Sequence, residues 1–417
     1  MTAEVQNRKL RKIEPNFHLK VSLSIIYFMG TWPPRVKYRR AYFIYSFFWF
    51  IFMLGILIAS EIANLIVIWG DLKRMVAGAT VLMTNCAHAY KVFTVLWYQQ
   101  RIRELLNKTE SKLFSSDNIK YENILRLYTW RGIFHHIAYQ SFGAVAVFCW
   151  GFTSIANMIA GRSRQLPMEG WYPYNLTLTP AFEITASHQG IALILCCFHD
   201  VAMDTLVTGL IIVACCQMTI LYENILSINN SKDEFGSEGK PDASYEKLKA
   251  SVNFADEIQS VFSTSIFLQF VVNCIIICLI AFNIAQMKVY IPSVLIGMTM
   301  YMCCMTYQIF IFCWHGNELY LHSLEIAFAA YSSGWWKNSK RFKQGIRILI
   351  ARAQNPIVLR AGPVMALSLH TFVSVSKLAH PREKINSWYK YSAIFRLCKC
   401  LTPYLRSCRI KMSSNKI

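Results

Sequence analysis

The 417-residue chain is poor in charge. Asp, Glu, Lys and Arg make up only 16% of it, against about 25% in an ordinary soluble protein. Acidic residues are the scarcer sign, with 23 against 43 Lys and Arg and a net charge of +20. Charges are missing from several long stretches, and those runs reach the ~20 residues needed to cross a ~30 Å hydrocarbon core. A soluble fold is therefore excluded in favour of a polytopic helical membrane protein. Enzyme signatures are also missing: there is no HExxH, no GxSxG, no GxxxxGK[ST] and no Rossmann glycine fingerprint. No enzyme and no cofactor are expected. No cleavable signal peptide is expected either, because the first long apolar run begins only at Ala41 and is too long for a signal core. Tandem repeats, coiled-coil heptads and low-complexity domains are absent. Cysteine is not scarce, at 14 residues, but eleven of these fall inside predicted spans and read as small packing residues rather than disulfides. Cys398-x-Cys400 has no partner cluster, so no metal site is expected.

The apolar runs divide into spans at Ala41–Trp69, Met75–Tyr98, Gly132–Ala160, His188–Tyr222, Ile258–Met287 and Val289 to about Trp314, with a seventh after Pro356. Lys91 interrupts the second and can snorkel towards an interface. Asp200 and Asp204 lie inside the fourth. The connections alternate in charge: the N-terminus and the 2–3, 4–5 and 6–7 connections hold twenty-six Lys and Arg, the other three hold five. The positive-inside rule puts the N-terminus in the cytoplasm. This asymmetry also explains much of the net charge, so no nucleic-acid partner is expected. Of the sequons, Asn175 sits in the 3–4 loop, on the predicted outer side, and is a glycosylation candidate; Asn107 and Asn229 fall on the predicted cytoplasmic side.

Three constellations bear on function. Asp200 and Asp204 are four apart and share a helix face. Paired acids in a membrane can form a proton relay or a protease-like dyad, or face polar neighbours and hold helices in register; the second reading is preferred. A secondary transporter stays open as an alternative on these acids. A seven-span G-protein-coupled receptor is disfavoured by the charge count, which inverts the orientation, and by the lack of an acidic-Arg-Tyr triplet after span 3. Asn355-Pro356-Ile-Val-Leu359 ends in Leu and precedes its span.

The third constellation is an ordered series near the C-terminus: Gly316-Asn317-Glu318-Leu319, Ser323, Ala327, Tyr331, Trp335, Arg352, Gln354, Pro356, Ala361-Gly362, Ser368-Leu369 and Thr371-Phe372. It resembles the C-terminal signature of insect odorant receptors. The aromatic-proline loop Gly170–Gly190, Asp204-Thr205-Leu206 with Gln217 and Leu221, and Phe267-Leu268-Gln269-Phe270 are similar too. Length and the short 4–5 loop point to an odour-tuning subunit rather than the shared co-receptor. A gustatory receptor of the same superfamily is the nearer alternative.

The resemblance implies an all-α, seven-span subunit of a ligand-gated cation channel. It would assemble with a co-receptor in a hetero-tetramer, in the plasma membrane of a sensory neuron dendrite. It implies a cytoplasmic N-terminus (1–40), spans 1–6 (41–314), cytoplasmic anchor helices (315–356) and a pore helix (357–379), followed here by a basic tail (380–417). In the anchor, Tyr331, Trp335, Trp336 and Arg352 are the packing candidates; Leu369, Phe372, Val373 and Ser376 are the pore candidates. Odour binding is implied among the outer halves of spans 2, 3, 4 and 6. The residues there suit a small, mostly apolar volatile guest: Val81, Asn85 and His88; Val147, Trp150, Gly151, Ser154 and Met158; His188, Ile191 and Leu195; Val294, Met298 and Tyr301. For each of these, plain helix packing is the competing reading.

The resemblance runs from about Lys37 to Lys377. Beyond it, Leu378-Ala-His-Pro381-Arg-Glu-Lys384 stands where the family implies an aromatic segment that finishes the pore helix, and Pro381 interrupts helical bonding. The uncharged run Ala361–Ser376, as a helix, covers roughly 24 Å of a ~30 Å core. A divergent or alternatively spliced end is preferred here over a genuine end with a modified gate or a cytoplasmic tail.

Overall fold

The computed structural model describes residues 14–34, 39–111, 114, 119–159, 166–176, 178–227, 240–287 and 292–378. Among these the chain is almost wholly helical: α1 (Phe17–Phe28), α2 (Arg39–Phe50), α3 (Ile56–Val67), α4 (Leu72–Trp97), α5 (Gln99–Thr109), α6 (Ile119–Ile159), α7 (Ala181–Ser227), α8 (Lys240–Ala285), α9 (Pro292–Ser332), α10 (Lys340–Ala353) and α11 (Leu369–Leu378). A π turn at Ile51–Gly55 joins α2 to α3 in one continuous rod. Local chemistry sets several ends. The Asp71 carboxylate caps α4 by accepting from the Arg74 N–H at 3.3 Å, and Ser339 caps α10 through the Phe342 N–H.

The burial pattern is that of a bundle in lipid. Outward faces are apolar, as at Ile44, Phe47 and Phe48 on α2 and Phe148, Phe152 and Ile155 on α6. Polar side chains turn inward and pair there, because unpaired polar groups have no water to bond in hydrocarbon. α7 forms the axis. The most apolar stretch of α7 is 89% buried, against 17% for that of α6. α6, α8, α9 and α1 pack around it.

Among the described residues, five helical segments are long and apolar enough to cross a membrane: Arg40–Val67, Tyr121–Ile159, Ala181–Ser227, Pro241–Ala285 and Pro292–Lys337. α4, the expected second span, is absent from that set although its 26 residues extend about 39 Å. Asn85, His88, Lys91 and Thr94 lower its hydropathy, and all four are buried against the bundle. α11 has ten residues, too few to span by themselves.

Three further differences from expectation have physical causes. The 2–3, 4–5 and 6–7 connections are largely helix, since the spanning helices simply continue. α7 alone has 47 residues, about 70 Å, more than twice a hydrocarbon core. The segment 357–379 does not begin as helix. An antiparallel hairpin, β1 (Arg360–Ala361) with β2 (Met365–Ala366), pairs Arg360 with Ala366, and α11 starts only at Leu369. Pro363 in the turn removes an N–H donor that a helix would need. Finally, the N-terminal region expected in the cytoplasm contains α1, which lies along the middle of α7. Two glycines make room for it. A Cβ on Gly132 would come 2.6 Å from His18, and one on Gly209 would come 2.7 Å from Leu19. His18 donates to the Gly209 carbonyl at 3.3 Å, Ser22 meets Thr205 at 3.0 Å and Thr31 meets His199 at 2.9 Å.

The hairpin is strapped to its neighbours. The Gly362 N–H donates to both the carbonyl and the hydroxyl of Ser263, whose hydroxyl donates to the Arg360 carbonyl. Gln259 accepts from the Arg360 N–H at 3.0 Å. On the other side Leu367 lies against Gly316, where a Cβ would come 2.5 Å from the Leu367 Cβ. α5 is tied to α8 by Arg101, whose Nε sits 2.6 Å from Glu257; that carboxylate holds the guanidinium above its usual pKa.

Candidate functional site

Four helices, α4, α6, α7 and α9, line a cavity of about 80 Å³. α4 contributes Val81, Thr84, Asn85 and His88, and α6 contributes Tyr139, Gly143, Ala146, Val147 and Trp150. From α7 come Leu193, Cys196, Cys197, Asp200 and Val201, and from α9 Tyr301, Cys304 and Met305. The wall is mainly apolar and aromatic with a few polar handles, the composition of a small-molecule pocket. Trp150 and Tyr301 meet edge to face at 5.2 Å, and the Tyr301 hydroxyl bonds to Thr84. The Asn85 amide donates to both oxygens of buried Glu61, at 2.8 and 3.0 Å.

One end of the cavity is ionic. Lys91 reaches Asp200 at 2.8 Å and Asp204 at 2.9 Å. Lys91 therefore does not snorkel outward as expected. Its ammonium is buried between two acids on adjacent turns of α7. Asp204 also accepts from the Tyr139 hydroxyl at 3.1 Å and from the Gln308 amide. Gln308 in turn accepts from Gln269 at 3.0 Å and Asn273 at 2.7 Å, carrying the polar cluster from α7 through α9 into α8. The register-holding reading of the two acids matches this geometry. Beyond Asp204 lies a second void of about 20 Å³, bordered by Lys91, Asp204, Ser265 and Gln269. That is about the room of one water molecule.

The histidines also converge in a way their spacing did not reveal. His88 Nε2 and His199 Nδ1 share a hydrogen bond at 3.1 Å, and His199 Nε2 meets the Thr31 hydroxyl. Both His199 nitrogens are thus engaged.

Of the sequence-derived ligand candidates, Val81, Asn85, His88, Val147, Trp150 and Tyr301 line this cavity. Gly151, Ser154, Met158, His188, Ile191, Leu195, Val294 and Met298 do not. Met158 and Ile191 face outward. His188 donates instead to the Phe52 carbonyl at 2.9 Å, binding α7 to the α2–α3 rod. The discrepancy has one direction. On α6, α7 and α9 the lining sits one to two turns away from the presumed outer surface. The α6 stripe continues back through Ala146 and Gly143 to Tyr139, the same helical periodicity read two turns too late. Asp200 was seen in the sequence but not grouped with these residues, because only the tertiary fold brings it to the same cavity as Asn85 and Tyr301.

Elsewhere, Tyr331 and Trp336 are exposed, and Trp335 lies under Arg347 at 5.7 Å. Arg352 donates to the Asn355 carbonyl at 3.5 Å. Leu369, Phe372 and Val373 fall on α11, where the Phe372 ring meets Phe310 at 5.5 Å and Val373 is exposed. The side chain of Ser376 and residues 379–417 lie outside the described residues. Asn175 is exposed in the loop between α6 and α7. The eleven cysteines within the predicted spans are free thiols.

The comparisons converge. A family model described as 7tm Odorant receptor matches residues 71–380. Odorant receptor Or1 of Anopheles gambiae is 22% identical, covering 89% of this chain and 97% of its own length. Odorant receptor 10 of Aedes albopictus is 23% identical over 73% of this chain and 82% of its own. In three dimensions the chain is similar to the olfactory receptor OR5 of Machilis hrabei, solved in complex with eugenol, with a TM-score of 0.77 at 18% identity. That match covers 87% of this chain and 95% of OR5. Members of this family are receptors rather than enzymes. With three-quarters of its length matched, from α4 to just beyond α11, the chain belongs to the 7tm odorant receptor family.

Proposed function

We propose that the chain is the odour-tuning subunit of a ligand-gated cation channel. The cavity between α4, α6, α7 and α9 is its odorant site. The carrying observation is that cavity: lined by four helices, walled by Trp150, Tyr301 and apolar side chains, and furnished with few polar groups. OR5, which shares the fold, was solved with eugenol, a small aromatic guest of the kind such a wall accommodates.

In this reading the N-terminus is cytoplasmic and seven segments cross the plasma membrane of a sensory dendrite. α4 serves as the second span despite its polar inner face, and α11 begins the seventh. The exposed Tyr331 and Trp336 lie where a neighbouring subunit would cover them in a hetero-tetramer with the co-receptor. Arg352 and Trp335 complete that anchor, and Leu369, Phe372 and Val373 face the pore. Large aromatics left uncovered on one subunit are the residues an interface uses best. Transduction is a population shift: a ligand that binds the open arrangement better moves the pore helices apart. The hairpin between α10 and α11 is the mechanical link, because it is bonded to α8 on one side and packed on α9 at Gly316 on the other.

Coexpression with the co-receptor should give odour-evoked cation currents that persist when G-protein signalling is blocked. Loss of current under that block would sink the channel reading.

A further inference from the structure

The acids around the cavity outnumber the cations, and the surplus lies on the ligand side. Lys91 is one ammonium shared by two carboxylates. Asp204 has two more donors, from Tyr139 and Gln308, and does not line the cavity. Asp200 does line it. Lys91 donates to its Oδ1, and among the described residues nothing donates to its Oδ2. Glu61 stands behind Asn85. It is buried and held by Asn85, a neutral amide, with no Lys, Arg or His within ion-pair distance among the described residues. His88 and His199 share one hydrogen bond between ring nitrogens, so at least one of the two is an acceptor there and neutral.

We propose that the ligands of this cavity are small primary amines bound as ammonium ions, with nitrogen at the free oxygen of Asp200 and carbon skeleton against Trp150 and Tyr301. The inference rests on the cavity being the odorant site. Three physical arguments support this class over its neighbours. A partly buried carboxylate without a full complement of donors is costly, and an ammonium supplies both the charge and the hydrogen bonds. Aromatic faces at Trp150, Tyr301 and Tyr139 stabilise a cation further within ~6 Å of a ring centre. A carboxylic acid has the opposite fate, because the one lysine near the cavity is already shared between two acids and a third carboxylate would add repulsion. An alcohol can donate to Asp200 but brings no charge.

The test uses the full chain coexpressed with the co-receptor. Butyl-, isoamyl-, hexyl- and phenethylamine are each applied at neutral pH beside the alcohol and the carboxylic acid of the same skeleton. A charge-assisted contact on a partly buried carboxylate corresponds to about tenfold in affinity or more. At least one amine should therefore evoke half-maximal current at a concentration about tenfold below its alcohol, with its acid weaker still. Asp200→Asn should collapse that ratio towards one. Alcohols or acids that match the amines on the wild-type channel would overturn the proposal. So would a ratio that survives Asp200→Asn in a variant reaching the cell surface. If that variant is retained inside the cell, the wild-type ratio decides alone. If no compound evokes current, thermal protection of the purified wild-type chain separates the two readings. Protection by an amine beyond its alcohol keeps the ligand class and removes the channel reading; no preference for the amine removes the ligand class.

Discussion

Replacing Lys91 with methionine would keep an unbranched stem of similar reach and delete the only ammonium between Asp200 and Asp204. The two acids would then face each other across one turn of α7 with no cation. Removing one partner of a buried ion pair costs about 3–5 kcal/mol, because a charge is left uncompensated. Here the lower end applies, about 3 kcal/mol, since Asp204 keeps its bonds from Tyr139 and Gln308 and Asp200 borders a cavity. At about 2 °C per kcal/mol, the low end for large domains, the melting temperature should fall by about 6 °C. Fluorescence-detected size-exclusion of heated, detergent-solubilised protein reads that shift. Adding Asp200→Asn to Lys91→Met should recover more of the loss than adding Asp204→Asn, because the surviving Asp204 still has two donors. The triple neutral variant should return to within about 1 kcal/mol of wild type, since replacing a whole buried ionic cluster is often neutral. A Lys91→Met protein that melts with the wild type would refute the buried triad. So would a triple variant as unstable as the single one.

Other features give sharper local tests. Gly316→Ala places a methyl group 2.5 Å from the Leu367 Cβ and 2.8 Å from its carbonyl oxygen, and backbone must move to admit it. The expected loss is about 1–3 kcal/mol, and an unchanged melting temperature would show that α9 and the hairpin do not meet so closely. Ser263→Ala removes the hydroxyl that accepts from Gly362 and donates to Arg360, a loss of about 1 kcal/mol per bond. Amide hydrogen exchange should rise across residues 360–366 while the helices stay protected; uniform exchange with wild type would break the proposed strap. Asn175→Gln should abolish a glycosidase-sensitive mobility shift on gels, and a shift that persists would put the glycan, or the topology, elsewhere.

Much of the architecture was legible because lipid imposes a simple rule: a spanning segment must be long and nearly uncharged. That rule located α2–α3, α6, α7, α8 and α9. It misjudged connections, because it detects where hydrocarbon ends and says nothing about where a helix ends; α8 begins at Lys240 (well before its apolar stretch). The hairpin at Arg360–Ala366 was hidden, all but its first residue, inside an uncharged run whose composition suits either helix or strand. At the cavity, the α6 stripe was found by periodicity, yet the lining starts two turns earlier at Tyr139, since no local signal marks where four helices leave a gap. Lys91 is the clearest case. From sequence alone a lysine near a span end is most simply explained by reaching out to water. Its actual partners are more than a hundred residues away, and only the packing of α4 on α7 reveals them.

The seating of α1 bears on how the protein is made. His18 bonds to a carbonyl 191 residues later in the chain, and Gly132, which shapes the same groove, also comes long after α1. At about 5–20 residues per second, synthesis of that interval takes about 10–40 s. Throughout it α1 has left the ribosome with no groove to enter. A helix made early is therefore among the last that can dock. A bulky fusion at the N-terminus should act on assembly and export from the endoplasmic reticulum before it has any effect on odour recognition.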